Sequence, residues 1–291
     1  MREAAVQDRL HQETAPYGGL SSVQKLACLI RLLPTRPAEF WGRLTTMAEV
    51  RAQSYRRQPC TMEPVEWSRA MSELSRLSRI GFDSILREAE LETVEQETLH
   101  LMRTMPKDAP FGSFHNGDLG MARLCYALAR VIQPRAIVET GVCYGVTSAF
   151  LLQALQVNRF GVLHSIDLPP LGKDADQFVG KLIPARLCGN WKLHRGPSKR
   201  LLPKVLKEVG DVGLFVHDSL HTHRNMLREF ETVGPCLSPK AAVVADDIEG
   251  NEAFHEWVAK ARPQYSVALH EQSKQSLLGV ALFCGNSTLS P

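Results

Sequence analysis

The spacing of apolar residues divides the chain into two parts that differ in predicted secondary structure. Up to about residue 104, apolar positions recur every three or four residues among many charges and few glycines, which predicts amphipathic helices. The predicted helical stretches are 20–33, 38–56 and 64–104, with breaks at Pro34, Pro37 and Pro59. We expect this region (1–104) to pack on the core, to contribute to a substrate pocket or to mediate homo-oligomer formation. Residues 105–118, rich in Pro, Gly and small polar residues, are typical of a linker.

Beyond this linker, short apolar runs alternate with helical stretches. The predicted strands are 136–140, 161–167, 191–195, 212–217 and 241–245, with helices at 119–132 and 146–156, and a closing pair of strands at 265–270 and 278–283. Strands that alternate with helices indicate an α/β fold with a mostly parallel sheet. We therefore predict one domain over 119–291, a doubly wound, Rossmann-like sheet of seven strands with a helical N-terminal extension.

Composition narrows the class of protein. The chain has 291 residues, 44% of them apolar, which is ample for a globular core. A net charge of +3 is too small to indicate nucleic acid or an anionic membrane as a partner. The seven cysteines include no Cys-x-x-Cys pair, and the most apolar N-terminal stretch, 26–33, is too short to span a bilayer. These features favour a cytoplasmic protein with reduced cysteines that binds a small molecule.

A glycine turn follows the first predicted strand, in Glu139-Thr-Gly-Val-Cys-Tyr-Gly145. Glycine permits positive φ and close approach of a ligand to the backbone, and the following helix offers unpaired N–H groups. Open α/β sheets bind nucleotides or nucleosides at this edge. Asp167 ends the second predicted strand, 26 positions after Gly141, where a carboxylate can accept hydrogen bonds from ribose hydroxyls. A helix cap or a solvated loop acid is the alternative for Asp167.

The spacing Glu-x-Gly-x-x-x-Gly differs from the Gly-x-Gly-x-x-Gly of dinucleotide-binding proteins. It resembles the first motif of class I S-adenosylmethionine (SAM)-dependent methyltransferases, and the closing pair of strands matches the end of their sheet. The segment Gly196-Pro-Ser198 resembles the adenine-contacting segment of catechol-type O-methyltransferases, although Ser198 is equally compatible with a helix N-cap. The resemblance implies that SAM is the cofactor, with contacts from Glu139, Gly141, Tyr144, Gly145, Asp167, Gly196, Ser198 and Asp218.

Acidic residues follow the fourth and fifth predicted strands. Asp218 comes directly after one, and Asp246 and Asp247 come directly after the other. In the expected strand order these two strands are neighbours, about 4.8 Å apart, so the three carboxylates should converge. Carboxylates held so close repel one another unless a cation neutralises them, and Mg²⁺ prefers such oxygen ligands. The alternative is that these acids only cap the following helices.

The segment Asp218-Ser-Leu-His221 adds a proton acceptor to the predicted cation site. An imidazole titrates near neutral pH and can remove a proton from a substrate hydroxyl. Asp-x-x-His followed by a paired acid resembles metal-dependent O-methyltransferases of the cephalosporin-hydroxylase and macrolide-sugar methyltransferase group. That resemblance implies Asp218, Asp246 and Asp247 as ligands of Mg²⁺ or another divalent cation, and His221 as the catalytic base. Two residues depart from the family, because Asp246 is often Glu and His223 is often Tyr in relatives.

These observations predict a SAM-dependent O-methyltransferase, assisted by a divalent metal, that acts on a hydroxyl of a small molecule such as a sugar, a phenol or a natural product. Three alternatives remain open. A metal-independent class I methyltransferase would use the acids as helix caps and cofactor contacts. A nicotinamide-dependent oxidoreductase is disfavoured by the missing dinucleotide motif. A non-catalytic nucleoside-binding protein would keep the cleft without turnover.

Overall fold

The computed structural model describes residues 22–54, 58–106, 109–110, 118–172, 174–272 and 276–285. Its helices are α1 (Ser22–Thr35), α2 (Pro37–Ser54), α3 (Trp67–Ser78), α4 (Phe82–Ile85), α5 (Ala89–Arg103), α6 (Leu119–Ile132), α7 (Val146–Asn158), α8 (Ser198–Val209), α9 (His223–Val233) and α10 (Ala253–Ala261). Its strands are β1 (Ala136–Thr140), β2 (Val162–Asp167), β3 (Trp191–Arg195), β4 (Val212–His217), β5 (Leu237–Ala245), β6 (Tyr265–His270) and β7 (Leu277–Cys284).

The seven strands form one sheet in the order β3-β2-β1-β4-β5-β7-β6. The pairs among β1 to β5 are parallel, and β7 runs antiparallel to both β5 and β6. The predicted doubly wound sheet of seven strands is confirmed. The largest difference is at β5, which begins at Leu237 rather than at 241 because Leu237 already pairs with Val212 of β4, ahead of an irregularity in the pairing. The carboxyl ends of β1 to β5 and of β6 meet at one edge of the sheet.

Helices cover both faces of the sheet, so the central strands are buried on both sides and read as continuous apolar runs. Leu214 and Val216 of β4 belong to the core cluster that includes α6 and α7. Phe215, between them, belongs to the cluster formed with α8, α9 and α10. Because a shift of one residue would exchange these two faces, the packing fixes the register of β4. The register in turn determines which residues directly follow the end of the strand.

The N-terminal region is helical, but two details differ from the sequence prediction. Pro34 does not end α1, which continues to Thr35, because a proline in the last turn removes only one helical hydrogen bond. The stretch 64–104 forms three helices instead of one, because Arg79 adopts a left-handed conformation (φ 59°) and ends α3. The predicted break at Pro37 fits the first position of α2, where proline is favoured. Leu20 and Arg56, at the predicted helix ends, lie outside the described residues.

Apolar side chains join α3, α4 and α5 to the main core. Leu74, Phe82 and Val94 are buried in the same cluster as α6 and α7. Asp118, predicted as the end of a linker, is buried and accepts a hydrogen bond from the N–H of Met121, so it caps α6. Most of the predicted linker (107–108 and 111–117) lies outside the described residues. None of the described helices is long and apolar enough to cross a membrane.

Candidate active site

The turn after β1 requires its glycines. Gly141 has φ 85° and Gly145 has φ 90°. A Cβ atom at position 141 would lie 1.7 Å from the backbone oxygen of Asp218, so only glycine lets the two turns touch. The contact is completed by a hydrogen bond of 2.8 Å from the N–H of Asp218 to the carbonyl of Thr140. The glycine turn and the acid after β4 are therefore parts of one site.

Asp167 lies against the glycine turn. Its Oδ1 accepts a hydrogen bond of 3.2 Å from the N–H of Val142. Its Oδ2 is buried and has no hydrogen-bond partner among the described residues. Burial raises the pKa of Asp167 to about 6, against backbone N–H groups and two arginines that lower it. A carboxylate with one unused oxygen beside a glycine turn can accept the hydroxyls of a ribose.

We expect Asp167→Asn to stabilise the folded protein in the absence of SAM and to weaken its binding of SAM. The folded pKa of about 6 lies above the ordinary 3.8, so the stability linked to this group is fully present below about pH 4 and lost as pH rises through about 6. The variant removes that ionisation and should gain roughly 1–3 kcal/mol above pH 6 and nothing below pH 4. Urea unfolding at both pH values measures the gain, and calorimetry with SAM measures the loss. A variant that binds SAM as well as the wild type contradicts the predicted ribose contact.

Glu139 and Tyr144 lie beneath the turn. Oε2 of Glu139 accepts hydrogen bonds of 2.7 Å from the hydroxyls of Ser148 and Ser165. Burial raises the pKa of Glu139 to about 7. The side chain of Tyr144 is buried, and its carbonyl accepts a hydrogen bond of 2.8 Å from Leu182. In the structure both residues support the turn, and their predicted contacts with a cofactor remain predictions.

The segment after β3 lies next to Asp167. The N–H of Gly196 donates a hydrogen bond of 2.8 Å to the carbonyl of Asp167. Ser198 is the first residue of α8, and the N-cap is Pro197, so the N-cap alternative for Ser198 is wrong. Its hydroxyl instead bonds to the buried Glu229. The position of this segment fits the predicted adenine end of the cleft, and the contact itself stays a prediction.

The predicted acids and His221 lie together at the carboxyl ends of β4 and β5. Nε2 of His221 lies 3.7 Å from Oδ1 of Asp218, and its Nδ1 lies 3.3 Å from Oδ2 of Asp247. The N–H of Asp246 donates to the carbonyl of His217 (2.9 Å), which fixes the start of the acidic pair beside β4. Asp246 is buried, whereas Asp218 and Asp247 are partly exposed. The strand order and register therefore bring these four residues together, as predicted.

The grouping of ligand atoms differs from the predicted set of three acids. Among the residues that the structure describes, two groups have ligand atoms within 4.8 Å of one another. One group is Asp218, His221 and Asp246, and the other is Asp246, Asp247 and Glu271. Asp246 is common to both, and the imidazole of His221 lies between Asp218 and Asp247. Sequence reasoning missed Glu271, because it follows β6 in a polar loop with no motif around it.

The carboxylates around Asp246 act on the pKa values of neighbouring groups. Burial raises the pKa of Glu249, and the charges of Asp247 and Asp246 raise it further. Burial likewise raises the pKa of Cys125 on α6, with additional contributions from Glu139, Asp218 and Asp246. Carboxylates crowded in this way favour a bound cation, and their oxygen atoms suit a hard divalent ion. The residues present thus fit the predicted metal.

Comparison with known proteins identifies the fold. Residues 138–248, from β1 to just beyond β5, match the family model described as a methyltransferase domain. This central part of the chain is thus similar to methyltransferase domains. Among curated proteins, none matches this sequence. The matched residues include the glycine turn, Asp167, the acids after β4 and β5, and His221.

Solved structures give more distant likenesses. The O-methyltransferase TomG from Streptomyces achromogenes, involved in tomaymycin synthesis and solved with SAM, is 18% identical with a TM-score of 0.47, over 74% of this chain and 96% of that one. An O-methyltransferase from Bacillus cereus with S-adenosylhomocysteine is 13% identical with a TM-score of 0.48, over 68% and 91%. A methyltransferase from Podospora anserina with S-adenosylhomocysteine is 11% identical with a TM-score of 0.48, over 76% and 98%.

A buried acid beneath the candidate site was also missed by sequence reasoning. Glu229 of α9 accepts the hydroxyl of Thr140 at 2.6 Å, and its Oε2 lies 2.7 Å from Nδ1 of His217. Its Oε1 accepts from Ser219 (3.0 Å) and from the amide of Asn225 (3.1 Å). Burial alone would raise the pKa of Glu229, but the imidazole and the hydroxyl donors lower it to about 2. The ring of His217 also contacts the ring of His221, the predicted base, edge to face with 5.5 Å between the ring centroids.

The sequence did carry a signal for this acid. Met226, Phe230 and Val233 form the buried face of α9, and Glu229 falls on the same face. An acid among apolar residues at helical spacing indicates a buried, hydrogen-bonded carboxylate. In the methyltransferase domain, Glu229 joins the end of β1, the end of β4 and the start of α8.

Proposed function

We propose that the protein is an O-methyltransferase that transfers the methyl group of SAM to a hydroxyl of a small molecule, with the help of a divalent cation. The observation that carries the proposal is the convergence of Asp218, Asp246, Asp247 and His221 beside the glycine turn of a methyltransferase domain. The turn and Asp167 would bind the cofactor, and the acids and the imidazole would bind the reacting hydroxyl.

The cation would be held by Asp246, together with Asp218 in one group of ligand atoms or with Asp247 in the other. When bound, it would neutralise the carboxylates and make a substrate hydroxyl more acidic. Asp246 is the central ligand of the proposal, because it belongs to both groups of ligand atoms. Its N–H bond to the carbonyl of His217 holds its backbone in place. Glu271 is an additional oxygen donor on the β6 side.

His221 is the proposed base. Its imidazole is partly exposed and lies within 4 Å of two carboxylates, Asp218 at 3.7 Å and Asp247 at 3.3 Å. These negative charges favour the imidazolium that forms when the ring takes a proton from the acceptor. The deprotonated oxygen attacks the methyl carbon of SAM as the carbon–sulfur bond breaks, which leaves S-adenosylhomocysteine. The protein's task is then to orient the two reactants and to remove one proton.

A cavity at the carboxyl edge of the sheet supports a small-molecule acceptor. It has a volume of about 640 Å³, within the range of small-molecule sites. Trp67, Met71 and Leu124 line it together with serine hydroxyls of α3. Gln272, which directly follows Glu271, forms part of its wall and places the cavity at the carboxyl edge of the sheet. The mixed lining suits a hydroxylated molecule with an apolar body.

The cation is tested with Mn²⁺ as the probe. We expect wild-type protein to bind one Mn²⁺ per chain, and Asp246→Asn to weaken that binding at least tenfold, because it removes charge from the residue shared by both groups. Electron paramagnetic resonance measures the free Mn²⁺, and calorimetry measures SAM binding, which the variant should retain. Chelation of the metal should abolish methyl transfer to phenols, sugars and other hydroxyl compounds in a mass-spectrometric screen.

Asp211→Asn is the matched control, since Asp211 is an exposed acid before β4 and outside both groups. Its Mn²⁺ affinity should equal that of the wild type. Wild-type protein that binds SAM but no Mn²⁺, and that transfers methyl groups in the presence of a chelator, would overturn the metal part. That outcome favours the metal-independent methyltransferase, in which Asp218 and Asp247 only orient His221.

A further inference from the structure

Helix α2 lies across the carboxyl edge of the sheet and reaches both ends of the candidate site. Near its N-terminus, Arg43 donates a hydrogen bond of 2.6 Å to the carbonyl of Pro169, in the loop after Asp167. Glu39, on the same face, is buried and accepts a hydrogen bond of 2.7 Å from Arg195 at the end of β3. The pKa of Glu39 is lowered, because these two arginines outweigh the effect of its burial. This end of α2 is therefore anchored beside the predicted ribose and adenine positions.

The other end of α2 holds the loop that carries His221. Gln53 donates a hydrogen bond of 3.4 Å to the carbonyl of His221 and accepts one of 2.5 Å from the N–H of His223. Glu49, one turn earlier, accepts the hydroxyl of Thr222. Two residues of the loop and the first residue of α9, which are consecutive in sequence, thus contact two side chains of α2. The side-chain amide of Gln53 makes both of the contacts with the backbone.

These contacts matter because the loop has no regular secondary structure. Residues 218–222 lie between β4 and α9, outside any helix or strand. Backbone groups in such a segment need partners from elsewhere in the protein. The carbonyl of His221 accepts from Gln53 on one side and from Asn251 (3.1 Å) on the other. Because the ring of His221 projects from this backbone, its direction depends on both amides.

We infer that Gln53 is a positioning residue for the base His221, acting through the backbone of the loop. The inference rests on the proposed function only in so far as His221 is the base. Displacement of a catalytic group by about 1 Å can lower a rate by roughly 100-fold. The helical region thereby contributes to the catalytic geometry from a position 168 residues away in sequence.

The test uses two variants of the full chain. Gln53→Met keeps the length of the side chain but removes both hydrogen bonds, whereas Gln53→Glu keeps the acceptor for the N–H of His223. Thr45→Ala is the control, since Thr45 is exposed on α2 and bonds only within its own helix (2.8 Å to the carbonyl of Gly42). Three quantities are measured: amide hydrogen exchange of residues 219–224, the NMR resonance of the His221 ring, and kcat and KM with an acceptor from the screen.

We expect Gln53→Met to speed exchange of the His223 amide at least tenfold, to shift the His221 resonance, and to lower kcat about tenfold or more. KM for SAM should change less than twofold. Gln53→Glu should recover part of kcat, and Thr45→Ala should match the wild type. An unchanged His221 resonance in Gln53→Met, or faster exchange with unchanged kcat, overturns the inference. If wild-type protein transfers no methyl group, the proposed function fails separately, and the ring resonance still decides whether Gln53 positions His221.

Discussion

Replacement of His221 by Asn is expected to lower kcat for methyl transfer by about 10²- to 10⁴-fold while leaving the affinity for SAM within twofold. General-base catalysis contributes a factor of this size, and no other described imidazole contacts both Asp218 and Asp247. Asparagine cannot accept the proton, although it can keep a polar contact with the acids. Stopped assays that quantify S-adenosylhomocysteine give kcat, and calorimetry gives the dissociation constant for SAM.

His223→Asn distinguishes the two histidines of the loop. The side chain of His223 is partly exposed and pairs with Glu256 on α10, with 3.1 Å between Nε2 and Oε1. His223 belongs to neither group of ligand atoms, so the variant should retain kcat within about threefold. A rate that falls equally in both variants would assign the loss to the loop as a whole and not to the imidazole of His221. Full activity of His221→Asn would remove the residue from the mechanism.

The positions of the site residues in the sheet followed from the sequence because the strands are buried on both faces. A strand such as β4 reads as a short apolar run with an acid directly after it, so its end is marked by composition alone. Parallel strands also end at the same edge, which places Asp218 beside Asp246 without further information. The glycine turn could also be predicted, because the positive φ angles that require glycine are a local property of the chain.

Contacts that depend on how the helices dock could not be predicted in this way. Glu39 contacts Arg195, 156 residues later in the sequence, and Gln53 contacts the loop of His221, 168 residues later. No local sequence pattern predicts either contact. The arrangement within the acid cluster was equally hidden. Rotation about two side-chain bonds decides whether Asp247 faces Asp218 or Glu271, and the sequence does not encode that choice locally.

Glu229→Ala is expected to destabilise the protein by about 3–5 kcal/mol, the typical cost of removing one partner from a buried charge pair. The change would leave the hydroxyl of Thr140, the imidazole of His217 and the amide of Asn225 buried without their acceptor. Each of these groups was taken out of water when the protein folded, and each would lose its hydrogen bond. Urea unfolding at neutral pH measures the change in the free energy of unfolding.

Glu231→Ala is the matched control on the same helix. Glu231 is exposed and pairs with Lys260 at 3.5 Å, so its removal should cost no more than about 1 kcal/mol. A loss of similar size in both variants would mean that α9 is sensitive to any substitution. A loss below 1 kcal/mol in Glu229→Ala would show that the buried carboxylate contributes little to holding the strand ends together.

The pH dependence of this difference tests the charge of Glu229. Its pKa of about 2 in the folded protein lies below the ordinary 4.5, so its contribution is fully present above about pH 4.5 and is lost as pH falls through about 2. The stability gap between wild type and Glu229→Gln should therefore narrow over that interval. Because the carboxylate joins the ends of β1 and β4, the same interval should loosen the turn that carries Asp218. A gap independent of pH would show that Glu229 has the same pKa in the folded and the unfolded protein, which would contradict the lowered pKa.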